Sequence, residues 1–183
     1  MSTLITTTAQ IGTIKDAGGN ETAMTIDTVG RIKTPARPAF MVGRSANISL
    51  TEGNSHQVLP FNNTAFDVGS NFSTSNHNYV CPIAGLYHFA LNVRFDSITS
   101  GGFLRGLIYK GNDAATNTTP WDTNPAVFHG YITGGHGTAY HTVVVSGYFQ
   151  CAAGDIVTAM GGHNSDTNIV MHNQATFSGA FIG

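Results

Sequence analysis

The sequence predicts an all-β protein built as a two-sheet sandwich, and three observations carry that prediction. Charged residues make up only 10% of the 183-residue chain while apolar residues make up 41%. Solubility then rests on Asn, Thr, Ser and Gly, a balance that suits short strands and polar turns better than helices with charged faces. No segment holds an apolar i, i+3, i+4, i+7 pattern across three turns, whereas several short runs alternate apolar and polar residues at period two.

The cleanest of these runs spans residues 86–94. Tyr87, Phe89, Leu91 and Val93 share one face, and His88, Ala90, Asn92 and Arg94 share the other, the pattern of a strand with one buried face. Residues 140–151 repeat it with Val143, Val145, Gly147, Phe149 and Cys151 on one side. The opposite side, Thr142, Val144, Ser146, Tyr148 and Gln150, is too mixed to be purely solvated, and a subunit interface would explain it. Further strands are expected at 39–44, 58–61, 103–110, 127–133, 155–160 and 175–182. Many short strands at this spacing indicate a sandwich or barrel.

Residues 1–35 read as a separate β arm. Residues 4–14 alternate apolar residues with Thr, Asp16-Ala17-Gly18-Gly19-Asn20 is a turn signal, and residues 23–27 form a second strand. Together they predict a hairpin, and a lone hairpin needs something to pack on, either a neighbouring subunit or a larger assembly. Lys33-Thr34-Pro35-Ala36-Arg37-Pro38 is the expected linker, because its prolines block helix and central strand. Residues 36–183 form the main domain.

Composition also narrows function. Net charge is −2 with no basic stripe to neutralise phosphates, so no nucleic-acid partner is expected. No stretch approaches the ~18 apolar residues of a membrane span, and the first residues lack the basic and apolar regions of a signal peptide, which predicts assembly in a host cytoplasm. Cys81 and Cys151 lie in strand-like runs and read as buried reduced thiols rather than a disulfide. The 22 glycines show no collagen period.

The middle of the chain resembles the globular head of the complement 1q family, a relative of tumour necrosis factor. The residues that carry the resemblance are Phe61, Asp67, Phe72, Tyr79, Gly85, Tyr87 and Phe89, in the family's spacing. Cys81-Pro82-Ile83-Ala84-Gly85-Leu86-Tyr87 resembles its Cys-Pro-x-x-Gly-x-Tyr stretch. Gly154-Asp155 resembles its turn before a buried strand, Pro38-Ala39-Phe40 its opening strand, and Phe177-Ser178-Gly179 its closing strand. Tyr79 stands where the family has Phe, and Leu91 where it has an aromatic. The resemblance implies a ten-stranded jelly roll and a tight homotrimer, and leaves function open. Residues 25–32, followed by Pro-Ala-Phe, also resemble joins in bacteriophage tail-fibre and other virion proteins.

Candidate sites are few. Trp121 and Asp122, in a proline-bracketed loop, are candidates for contact with a host-surface glycan or protein, although such a loop equally folds back on its own domain. Asp113, Asp122 and Asp166 offer part of an oxygen shell for calcium, against the plainer reading that they form turns. No other cofactor is expected. His136 and His141 would give a metal site only by converging on a trimer axis. There is no Gly-x-Ser-x-Gly elbow, Walker loop or dinucleotide fingerprint. The expected protein is a non-enzymatic, trimeric bacteriophage virion protein, with residues 1–35 docked to other virion proteins and the head used for host recognition in a tail fibre. The alternatives are a capsid decoration protein and a secreted complement-like lectin or ligand.

Overall fold

The computed structural model describes residues 13–15, 18–19, 22–51, 57–96, 103–111, 127–133, 140–164 and 168–183. The chain divides into two compact units, Met1–Arg37 and Pro38–Gly183.

In the first unit, β1 (Thr13–Lys15), β2 (Thr22–Ile26) and β3 (Ile32–Lys33) form a three-stranded antiparallel sheet in that order. Residues 4–12 of the expected first strand lie outside the described residues; Thr13–Lys15 pairs with Thr22–Ile26, a third strand follows, and Lys33 belongs to that strand rather than to the linker. The reason is local. Asp27 accepts backbone hydrogen bonds from Val29 (3.0 Å) and Arg31 (2.9 Å) and a side-chain bond from Arg31 (2.7 Å). Gly30 sits at φ +84°, a conformation other residues adopt at a cost. These groups turn the chain back on β2, and the bonds from Arg31 hold the Asp27 carboxyl below its ordinary pKa.

The second unit contains thirteen strands among the described residues. They are β4 (Ala39–Gly43), β5 (Ile48–Leu50), β6 (Gln57–Val58), β7 (Asn63–Asp67), β8 (Phe72–Ser73), β9 (Asn78–Val80), β10 (Gly85–Asp96), β11 (Phe103–Lys110), β12 (Val127–Thr133), β13 (His141–Cys151), β14 (Ile156–His163), β15 (Ile169–Met171) and β16 (Thr176–Phe181). Ten of them make two five-strand orders, β7-β4-β16-β10-β13 and β8-β9-β14-β11-β12. Short strands β15 and β5 extend the first sheet at the far end of β10, and β6 joins β14 in the second. All the pairings are antiparallel, and the two sheets close on one core as a jelly-roll sandwich.

Most expected strands are present within a residue or two. Residues 58–61 are the exception, since the strand ends at Val58 and only the Leu59 N–H continues to β14, at the Ala159 carbonyl (3.0 Å). Pro60 has no N–H to donate, and the Phe61 N–H bonds back to the Leu59 carbonyl (2.9 Å). Strands β5, β7, β8, β9 and β15 are two to five residues long, too short for alternation to declare them.

The core is aromatic. Phe40 stacks on Tyr79 (4.2 Å between ring centroids) and on Phe72 (5.5 Å), and meets Phe177 edge-on (5.1 Å). Its neighbours across the first sheet are set by register, with Gly179 opposite both Phe40 and Phe89, and Gly147 opposite Phe89 on the other side. A methyl at Gly179 would lie 2.5 Å from the Phe89 ring and 2.7 Å from the Phe40 ring, and one at Gly147 would lie 2.5 Å from Phe128. The rings therefore occupy the space a side chain would need.

Two substitutions in this cluster move stability in opposite directions. Gly179→Ala forces the rings apart and is expected to cost roughly 1–3 kcal/mol in urea unfolding. The Tyr79 hydroxyl is buried without a hydrogen-bond partner, so Tyr79→Phe removes a desolvated polar group and is expected to stabilise by about 1 kcal/mol; a loss of stability would show that the hydroxyl is satisfied. In the arm, the Asp27 carboxyl is lowered from 3.8, so its contribution is present above that value and is lost as pH falls through the lower folded pKa. The Val29 and Arg31 amide resonances should shift with a midpoint below 3.8, and a midpoint at or above it would remove Asp27 from that role.

Candidate subunit-contact face

Strand β13 separates two environments residue by residue. Val143, Val145, Gly147, Phe149 and Cys151 are buried in the sandwich, while Val144 is 66% and Tyr148 59% exposed. Period-two geometry sends the second set to the outer side of the sheet. Register then assembles that side into rows. Tyr148 lies opposite His88, His88 opposite Ala180, and Ala180 opposite Ala39. In the next row Ser146 faces Ala90, Ala90 faces Ser178, Ser178 faces Met41, and Met41 faces Phe66. Val144 faces Asn92, which faces Thr176.

The resulting surface carries no Asp, Glu, Lys or Arg through its middle and mixes small and apolar side chains with His88, Asn92 and Thr176. His88 packs on the Tyr148 ring (4.8 Å). A shallow depression lies over Ala39, Met41, Phe66, His88, Ser178 and Ala180. Formal charge appears at one end, where Arg94 pairs with Asp96 (2.9 Å), donates to Gln174 (2.7 Å) and lies over the Tyr140 ring (3.8 Å). Exposed apolar side chains grouped on one sheet face are the pattern expected of an interaction surface.

The residues that carry the sequence resemblance do a different job. Phe61, Tyr79, Tyr87, Phe89 and Phe177 are fully buried core rings, and Phe72 packs against them from a half-buried position. Asp67 accepts the Phe72 N–H (2.8 Å), closing the turn between β7 and β8. The Tyr87 hydroxyl donates to the Ile83 carbonyl (2.9 Å). Gly85 holds φ +149° with the Phe181 ring 2.4 Å from where a methyl would be, and Gly179 is fixed by Phe40 and Phe89. These nine positions therefore specify the fold, not a binding site.

Trp121 and Asp122 lie outside the described residues, as do Asp113, Asp166 and His136. Among the described residues, no group of three or more His, Cys, Asp and Glu side chains is placed to hold a metal ion. Cys81 and Cys151 are free and buried, and burial pushes both thiols up in pKa. Sequence reasoning singled out the β13 part of this outer face through its mixed polarity. It missed the Met41–Phe66 half, because β7 has no legible alternation and its place beside β4 follows from a long-range pairing.

The fold is a two-sheet jelly-roll sandwich. Residues 39–126 match the family model of the C1q domain. No curated protein sequence matches the chain. Among solved structures, the globular domain of zebrafish complement 1qA protein is similar, with a TM-score of 0.54 and 19% identity over 80% of this chain and 98% of that one. Murine APRIL is similar in two crystal structures, at pH 8.5 (TM-score 0.53, 11% identity) and pH 5.0 (0.52, 10%), each covering 80% of this chain and 99% of that one. The family match spans β4 to β11, and the structural likeness carries the same fold onward through most of the head. Together they support a C1q/TNF-like domain for this unit.

Proposed function

We propose that the chain is a non-enzymatic structural protein of a bacteriophage particle, a homotrimer joined through the outer face of the first sheet and used for host-surface recognition in a tail appendage. The observation that carries the proposal is the uncharged face of Val144, Tyr148, Ala90, Met41 and Phe66, which a single subunit leaves open to water. Burying it between copies would remove apolar area from solvent at about 25 cal/mol per Å². The trimer that the complement-head resemblance implies gives that face a partner of matching chemistry.

The particle setting draws support from the chain's composition and from its arm. Low charge and high Asn, Thr and Gly content suit an assembled surface protein, and the arm's sequence resembles virion joins. Residues 1–35 would dock to other virion proteins, with assembly in the host cytoplasm. A capsid decoration protein would use the same trimer on the head lattice. The secreted complement-like reading is favoured by the C1q domain match and by the likeness to zebrafish complement 1qA protein.

Sedimentation equilibrium of the whole chain is expected to give a trimer. Tyr148→Glu places three charges in the interface, and an unpaired buried charge costs about 3–5 kcal/mol, so trimer dissociation should strengthen more than a hundredfold while far-UV circular dichroism stays all-β. A wild-type chain that sediments as a monomer would overturn the trimer. Location of the chain in purified particles separates tail from head, and its secretion from host cells with no particle association would favour the complement-like reading.

A further inference from the structure

The arm's three strands form an amphipathic sheet. Ile14 pairs with Met24 and Ile26 pairs with Ile32. Met24 and Ile26 are two residues apart on β2, so all four side chains share one face. Thr13 and Lys33 both pair with Thr25 and share the other. On the first face Ile14, Ile26 and Ile32 are exposed, Ile32 at 65%. A sheet of strands this short is not stable alone in water, so the apolar face needs a cover.

We infer that the cover is the same face of the arms of the other two copies in the trimer, so that three arms pack Ile14, Met24, Ile26 and Ile32 against one another. This rests on the trimeric reading above. Two features favour sister arms over a foreign partner. First, the face is self-complementary and carries no charge. Each charged side chain described from Lys15 to Lys33 already has a partner within the arm, Asp27 with Arg31 at 2.7 Å and with Lys33 at 3.7 Å, and Lys15 with the Gly19 carbonyl at 3.1 Å. Second, only residues 34–37 separate β3 from the head unit. Four extended residues reach about 13 Å, so joined heads hold three arms at an effective concentration on the order of millimolar. The Thr13, Thr25 and Lys33 face would then be the one turned toward other proteins of the particle.

The test places a pyrene label on Val29→Cys in the full chain. Val29 is 71% exposed in the β2–β3 turn, whereas Cys81 and Cys151 are buried and stay unlabelled. Excimer emission is expected, persisting on dilution for as long as sedimentation gives a trimer. Ile26→Asp with Ile32→Asp should abolish it while the trimer remains, and Thr25→Glu on the opposite face should leave it intact. A trimer without excimer emission overturns the arm contact alone. So does emission that survives the double aspartate variant, or that is lost equally with Thr25→Glu. A monomeric chain overturns the trimer, and this inference with it.

Discussion

Phe40, Gly179, Phe89 and Gly147 stand in register across the first sheet, and the rest of the head depends on that alternation of ring and glycine. Aromatic side chains on adjacent strands compete for the same space above the sheet. Here the intervening glycines yield it, so Phe40 and Phe89 lean over Gly179 from both sides, and Phe128 of the opposite sheet fills the space over Gly147. Phe128 also packs on Phe149 (4.7 Å), and Phe40 reaches Tyr79 of the second sheet (4.2 Å). The two sheets are thus fastened at two places by rings that need glycine opposite them. Packing this dense tolerates little added volume.

The same strands that bury these rings present the outer face. On β10 and β13 each inward ring or valine is followed by an outward residue, so the interior fixes the position of every side chain outside. A slip of one residue would exchange the faces. Tyr148 meets His88 and Ser146 meets Ala90 because Phe149 meets Tyr87 and Gly147 meets Phe89 in the core. The composition of the outer face is therefore a consequence of core register, which lines up the small residues Ala90, Ser146 and Ser178 in one row and Ala180 beside His88 in the next.

Much of this was legible in the sequence. The alternation at 86–94 and 140–151 identified the two longest strands, their buried sides and the unusual polarity of the β13 exterior. The spacing from Phe61 to Phe89 pointed to the jelly roll. Other features were hidden for physical reasons. Phe40 is the hub of the aromatic cluster, but its five-residue strand has no pattern long enough to rank it. The role of Gly147 depends on Phe128, which lies on a different sheet. The third arm strand depends on the hydrogen bonds of Asp27, since Ile32-Lys33 is too short to signal itself. Pro60 ended β6 where hydrophobicity alone would have continued it.

Charge is scarce along this chain, and its placement shows what the protein is built to tolerate. The ion pairs among the described residues lie in the arm turn, at one end of the contact face and at the β11–β14 edge, while both apolar faces are free of formal charge. A monomer kept soluble by dispersed charge would gain nothing from leaving both faces bare. Charges within them would instead oppose association, because each would have to be desolvated or paired across the contact. A head face and an arm face left uncharged among the described residues could be covered without the cost of burying a charge.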